Sequence, residues 1–455
     1  MRVAMLFAGP LLAAALGSGL FYGGSTAEVA WTAGITLICA LWWIFEPIPI
    51  PATSLIPLAV LPLVGVLTPS QVGEAYGSPL ILLLLGGFML STALARSGAH
   101  RRIALGMVHA FGGDSPRRLV FGFMAAAAVL SMWISNTATT LMLLPIVLAI
   151  TEKVTDNRMK VSLLLGVAFA ANIGGLGTPI GTPPNLIFMK VYAENTGIEI
   201  TFLGWMKWAL PVVMIMVPIT GIWLTRGLKK QVELALPEVG TWRSEEIRTL
   251  TVFAITALLW MTRKEPFGGW SALAGLPTAN DASVALLAVI AMFLIPNGRG
   301  SRLLIWDTAV KIPWGILILF GSGICIAKAF VSSGLSVTLG AALAGLGQLP
   351  LLPMILIICL SVTFLTEVTS NTATTTLLMP ILAAAATNTG IDHALIMVPA
   401  AMSASFAFML PVATGPNAVV FGSGQLTIRQ MAREGIVLNL IGAAVIAGSC
   451  YLLLP

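Results

Sequence analysis

The chain has 455 residues, 57% of them hydrophobic and 9% charged, with a mean hydropathy of +0.96. Soluble globular chains carry about 25% charged residues, so this composition excludes a soluble enzyme or binding module and sets the class as an all-α polytopic membrane protein. The formal charge of +6 does not point to nucleic acid, because the Lys and Arg residues fall in short connectors between apolar spans, where they act as topology signals.

Met1 to Leu20 has the basic and apolar regions of a signal peptide but runs directly into further apolar sequence, and reads as the first transmembrane helix. Taking apolar stretches of about 17 to 25 residues as full crossings, the chain predicts about eleven. They fall at 3–22, 28–46, 50–68, 80–96, 161–190, 203–225, 248–263, 283–296, 313–331, 393–425 and 435–454. Two further apolar segments, 119–150 and 350–386, each hold a run of uncharged polar residues in the middle. A polar side chain in hydrocarbon costs a few kcal/mol unless partnered, so these segments predict re-entrant hairpins of two half-helices.

The polar runs are identical: Ser135-Asn136-Thr137-Ala138-Thr139-Thr140 recurs as Ser370-Asn371-Thr372-Ala373-Thr374-Thr375. Other landmarks repeat at nearly the same separation. Gly86 pairs with Gly321 at 235 residues, as do Ser131 and Thr366; Gly181-Thr182-Pro183-Pro184-Asn185 pairs with Ala413-Thr414-Gly415-Pro416-Asn417 at 232. The chain thus divides into halves 1–230 and 231–455, the first with hairpin 119–150 and a broken helix at 161–190, the second with hairpin 350–386 and a broken helix at 393–425. Five crossings separate the hairpins, an odd number, so the second half enters the membrane inverted, as in secondary transporters.

Charge supports the first hairpin. If Arg2 is cytoplasmic and both 119–150 and 350–386 return to the side they entered from, nineteen Lys and Arg residues lie inside and four (Lys190, Lys207, Arg263, Lys264) outside, with Lys328 left in a span. That asymmetry places the N-terminus in the cytoplasm, the C-terminus outside and hairpin 119–150 on the cytoplasmic side of the plasma (inner) membrane.

A re-entrant tip ends one half-helix and begins another, exposing carbonyls and N–H groups at membrane depth. Carbonyl, hydroxyl and amide oxygens suit a small monovalent cation, and the N–H groups at a helix N-terminus suit an anion beside it. Proline and glycine at 174–185 and 411–417 break their helices and supply more free backbone. Singly, a Ser/Thr/Asn cluster more often serves hydrogen bonding between helices; duplication coupled to paired breaks favours a solute site.

The paired Ser-Asn-Thr runs, the Gly-Thr-Pro-Pro-Asn and Ala-Thr-Gly-Pro-Asn breaks and the stretch Glu46-Pro47-Ile48-Pro49-Ile50-Pro51-Ala52 resemble the divalent anion/sodium symporter family across essentially the whole chain. The resemblance implies a homodimeric elevator-type carrier with scaffold and transport domains, moving a C4-dicarboxylate such as succinate, malate or fumarate, or citrate or sulfate, with Na+ as coupling ion. It implies one sodium site at Ser131, Ser135, Asn136 and Gly181 and a second at Thr366, Ser370, Asn371 and Ala413. It places the substrate at Ser135, Asn136, Thr137, Ser370, Asn371 and Thr372, with Thr182, Pro183, Thr414 and Gly415 nearby. Gly415 stands where the first half has Pro183, a departure expected to loosen the second break.

Other features narrow the function. Scattered His100, His109 and His393 with no HExxH spacing argue against a catalytic metal. Glycine runs with no following Gly-Lys-Ser/Thr argue against nucleotide hydrolysis and a primary pump. Cys39, Cys325, Cys359 and Cys450 read as small core residues, and Trp42, Trp43, Trp205, Trp208 and Trp306 as an interfacial belt. Glu367 and Lys328, ionisable within apolar segments, are functional candidates, Glu367 as an electrostatic influence on the second cation site. An anion channel, exchanger or proton-coupled carrier on the same scaffold stays open.

Overall fold

The computed structural model describes residues 2–111, 115–152, 154, 156–228, 240–265, 267–342 and 349–454. Lys153, Lys229 and Lys230, and the 230/231 boundary between halves, lie outside the described residues. Among those described, regular structure is helical except for one bridge between Pro296 and Arg302. Helix starts follow capping chemistry: Thr201, Asn280 and Thr427 each accept a backbone N–H from their own first turn.

Among the described residues, seven helices are long and apolar enough to cross a membrane. Other expected crossings fall on shorter pieces such as Leu55–Leu63, Asp281–Leu294 and His393–Ser403. The 161–190 stretch is two helices, Asn157–Gly174 and Pro183–Thr196, with a 3-10 turn at Gly175–Gly177 between them.

The core is organised around two central helices. Asn157–Gly174 is buried at every position from Ser162 to Gly174, as a helix apolar all round requires. It packs on Pro116–Ser131, Asn136–Thr151, Phe202–Thr225 and Gly415–Phe421. His393–Ser403 packs on Leu351–Thr366, Asn371–Thr389, Ile428–Leu453 and Pro183–Thr196. These are the same neighbours in the same repeat positions, each central helix receiving one helix from the opposite half. The repeat is therefore one of packing as well as of sequence.

Several expectations change. The connector at 96–118 contains a helix, Ala99–Phe111, and another short helix runs Leu335–Ala342. Arg102, expected as a topology charge in a connector, is buried and pairs with buried Glu246 at 2.8 Å while donating to the carbonyls of Gly240 and Thr241. Trp43 and Trp205 are not interfacial: both are buried in protein, Trp43 donating to Ser54 Oγ at 3.0 Å and Trp205 to the Leu176 carbonyl at 2.8 Å. The indole of Trp205 thereby satisfies a carbonyl freed by the first break. Lys328 pairs with Glu74 at 3.2 Å, and the four cysteines are free and buried.

Candidate ligand-binding site

The two polar runs sit at helix starts. The Pro116–Ser131 helix ends just before residues 132–135, and a new helix begins at Asn136 with Ser135 as its N-cap; Leu351–Thr366 and Asn371–Thr389 repeat this with Ser370. An N-cap serine ordinarily uses its hydroxyl on a first-turn N–H. Neither Ser135 nor Ser370 makes that bond, so hydroxyls and N-terminal N–H groups both stay available to a ligand.

Behind each tip the bonding is mirrored. Ser131 Oγ lies 2.5 Å from Asn136 Oδ1 and 2.7 Å from the Ala171 carbonyl; Thr366 Oγ1 lies 3.1 Å from Asn371 Oδ1 and 3.0 Å from the Ala404 carbonyl. Three oxygens converge at each place with one hydroxyl proton between them. Such a cluster is chemically suited to a small hard cation. Gly175 lets the first tip approach its broken helix, since a Cβ there would stand 2.5 Å from Asn136 Oδ1.

The breaks are mirrored too. Asn185 Nδ2 donates to the carbonyls of Gly175 (3.1 Å) and Thr178 (2.8 Å); Asn417 Nδ2 donates to those of Ala407 (2.9 Å) and Leu410 (3.1 Å). One buried amide thus gathers the carbonyls released where each helix stops. The second break has an extra anchor. Both carboxylate oxygens of Glu367 accept backbone N–H groups, from Met409 and Leu410 at 2.9 Å each, and Oε1 also accepts Asn439 Nδ2 at 2.6 Å. Glu367 therefore holds the chain of the second break rather than standing as a free charge beside the site.

Tips and breaks from both halves converge on one cavity of about 440 Å³. Ser135, Asn136, Thr137, Gly181, Thr182 and Pro183 line it from the first half, and Ser370, Asn371, Thr372, Ala413, Thr414 and Gly415 from the second. Ser131 and Thr366 stand behind the wall, against the two asparagines. Among the described residues, none that lines it is charged. Gly415 is explained by space: a Cβ would stand 2.0 Å from Thr137 Oγ1, so the glycine admits the opposite tip. Asn172, also on the wall, was not singled out in the sequence, where it is one amide in the otherwise apolar stretch from Leu163 to Gly174.

A helical membrane protein in which two repeated sets of helix tips and breaks close on one cavity lined by hydroxyls and amides belongs to the class of solute transporters. The chain is a member of the family described as the sodium:sulfate symporter transmembrane region, which it matches over residues 24–453. It is 40% identical over 446 residues to the sodium-dependent dicarboxylate transporter SdcS of Staphylococcus aureus strain USA300, covering 92% of this chain and 85% of that one. It is also 40% identical over 453 residues to SdcS of strain bovine RF122 / ET3-1, covering 94% and 86%. Among solved structures, the fold is similar to the YdaH transporter of Alcanivorax borkumensis (TM-score 0.61, 14% identity, 84% of this chain and 87% of that one). It is also similar to MtrF of Neisseria gonorrhoeae (TM-score 0.57, 12% identity, 85% and 83%).

Proposed function

We propose that this protein is a sodium-coupled symporter of a C4-dicarboxylate such as succinate, malate or fumarate. The observation that carries the reading is a cavity shared by both Ser-Asn-Thr tips and lined by no charged side chain. A dianion in such a place needs countercharge, because an unpaired buried charge is strongly unfavourable. Two monovalent cations supply it, and the two oxygen clusters are where they fit.

One Na+ is assigned to Ser131, Ser135, Asn136 and Gly181, the other to Thr366, Ser370, Asn371 and Ala413. The carboxylates meet Ser135, Asn136, Thr137, Ser370, Asn371 and Thr372, with Thr182, Pro183, Thr414 and Gly415 completing the wall. Hydroxyls and the positive ends of helices bind the anion. Cations order the tips and lower the cost of bringing in the anion, so the two ligands favour each other's binding.

In this reading, 119–150 and 350–386 are re-entrant hairpins in halves 1–230 and 231–455 of a protein in the plasma membrane, N-terminus inside and C-terminus outside. The loaded site, neutral overall, moves by an elevator motion against a scaffold that forms a homodimer. The dicarboxylate reading rests on the relatives' sodium-dependent dicarboxylate transport and on a cavity with donors from two separate tips, which suits an anion with two ends. Sulfate, favoured by the family's description, and citrate are the alternatives. The test is uptake of labelled succinate, citrate and sulfate into proteoliposomes with and without an inward sodium gradient. Saturable succinate uptake that requires sodium is expected; gradient-independent uptake or a non-saturating current contradicts the proposal.

A further inference from the structure

The two ends of the cavity look equivalent in sequence and differ in hydrogen bonding. Thr414 caps the Gly415–Phe421 helix, its Oγ1 accepting the Asn417 N–H at 3.2 Å. The same oxygen accepts Asn172 Nδ2 at 3.0 Å, from the opposite half. The amide orientations support each other: Asn417 Nδ2 is committed to two carbonyls, so its Oδ1 faces Asn172 and accepts Nδ2 at 3.2 Å. A threonine hydroxyl offers two lone pairs and one proton. Both lone pairs of Thr414 are taken, and only the proton remains for a ligand.

The mirror-related end lacks this arrangement. Thr182 makes no side-chain cap bond, and the residue that follows the Ala404 carbonyl bonded by Thr366, as Asn172 follows the Ala171 carbonyl bonded by Ser131, is Ser405, whose buried hydroxyl has no hydrogen-bond partner among the described residues. Asn185 Oδ1, the counterpart of the oxygen that receives Asn172, is also buried and unpartnered among them. A serine is too short to repeat the reach of asparagine across the two halves.

We infer that Asn172 is a positioning residue that fixes the Thr414 hydroxyl as a one-way donor into the cavity, making the second-half end of the site selective for an ionised carboxylate. The Thr182 end, whose hydroxyl is free to rotate, accepts or donates and tolerates variation in that end of the substrate. This inference rests on the function proposed above.

The test is equilibrium binding of labelled succinate to purified protein in saturating sodium, with unfolding temperatures measured in parallel. Asn172→Ser, which copies the residue of the other half, is expected to raise the dissociation constant about tenfold, the weight of one hydrogen bond to a charged group. Thr414→Val should do the same or more. In the Thr414→Val background, Asn172→Ser should add nothing to the binding loss, although it lowers the unfolding temperature in both backgrounds by orphaning Asn417 Oδ1. Additive binding losses overturn the inference, since a purely structural asparagine acts regardless of residue 414. Should Thr414→Val bind too weakly to measure, Asn172→Asp decides. Its carboxylate takes the Thr414 proton, so it must bind succinate more weakly than Asn172→Ser, and equal or tighter binding overturns the inference. If the wild type shows no sodium-dependent binding of succinate, the proposed function fails and this inference with it.

Discussion

Gly415→Ala probes the closeness of the two halves with a single methyl group. The added Cβ would stand 2.0 Å from Thr137 Oγ1, 3.1 Å from its Cβ and 3.2 Å from its Cγ2, against about 3.4 Å or more for ordinary contact. The tip carrying Thr137 must therefore retreat by more than an ångström or rotate its hydroxyl out of the cavity. Overpacking of this kind costs about 1–3 kcal/mol. At about 1.4 kcal/mol per tenfold, the KM for succinate is expected to rise by roughly 5- to 150-fold in sodium-driven uptake into proteoliposomes. Thr137→Ala, which removes the colliding oxygen, weakens uptake by itself because Thr137 lines the cavity. Adding Gly415→Ala to it should cause little further loss, the remaining contact needing only a few tenths of an ångström. Wild-type KM in Gly415→Ala, or losses that add in the double variant, would refute the account of how the tip of one half fits the break of the other.

Three further outcomes follow from the same geometry. Ser131→Ala and Thr366→Val each remove a hydroxyl from an oxygen cluster behind the wall, so each should shift sodium activation of uptake to higher concentration while leaving succinate KM at saturating sodium nearly unchanged; a KM effect without a sodium effect contradicts the assignment. Glu367→Gln places an NH2 against a backbone N–H, because both Glu367 oxygens accept such groups. It should lower the unfolding temperature and raise the sodium requirement, and an unchanged sodium titration would remove the link between Glu367 and the second site. At the protein surface, partial burial raises the Glu199 carboxyl but the bonds from Lys264 and Arg263 outweigh it, holding the group below its ordinary range. A carboxyl depressed by folding stabilises above its unfolded pKa of about 4.3 and loses that stabilisation as pH falls through the folded value. The unfolding temperature should therefore fall below about pH 4.3 less steeply in Glu199→Gln than in the wild type; an identical acid limb would contradict the pairing.

Much of the site is legible in the sequence because its chemistry is expensive where it sits. Ser135-Asn136-Thr137 and Ser370-Asn371-Thr372 stand out as polar residues in hydrocarbon, and the Thr-Pro-Pro-Asn and Thr-Gly-Pro-Asn breaks stand out because proline cannot continue a helix. What the sequence hides is pairing at long range. Asn172 meets Thr414 across 242 positions, Arg102 meets Glu246 across 144, and Glu367 reaches backbone groups 42 and 43 residues away. Each is a single polar residue whose meaning is set by its partner. Gly415 illustrates the same limit from the other side: as a departure from Pro183 it suggests looseness, whereas in the folded protein it is a place of contact. The Ala99–Phe111 helix escapes a search for apolar spans because its first turn is Ala-His-Arg-Arg. Trp43 and Trp205 mislead because interfacial and buried indoles look alike in sequence, and only a partner such as the Leu176 carbonyl tells them apart.

The central claim, two mirrored half-sites holding one dianion and its cations in a shared uncharged cavity, is tested most directly by an electron cryo-microscopy map of the protein in sodium and succinate. Elongated density should span the space between residues 135–137 and 370–372, flanked by compact density beside Asn136 and Gly181 and beside Asn371 and Ala413. Succinate density seated at a charged side chain elsewhere, or a cavity holding the anion with no cation density at either asparagine, would contradict it.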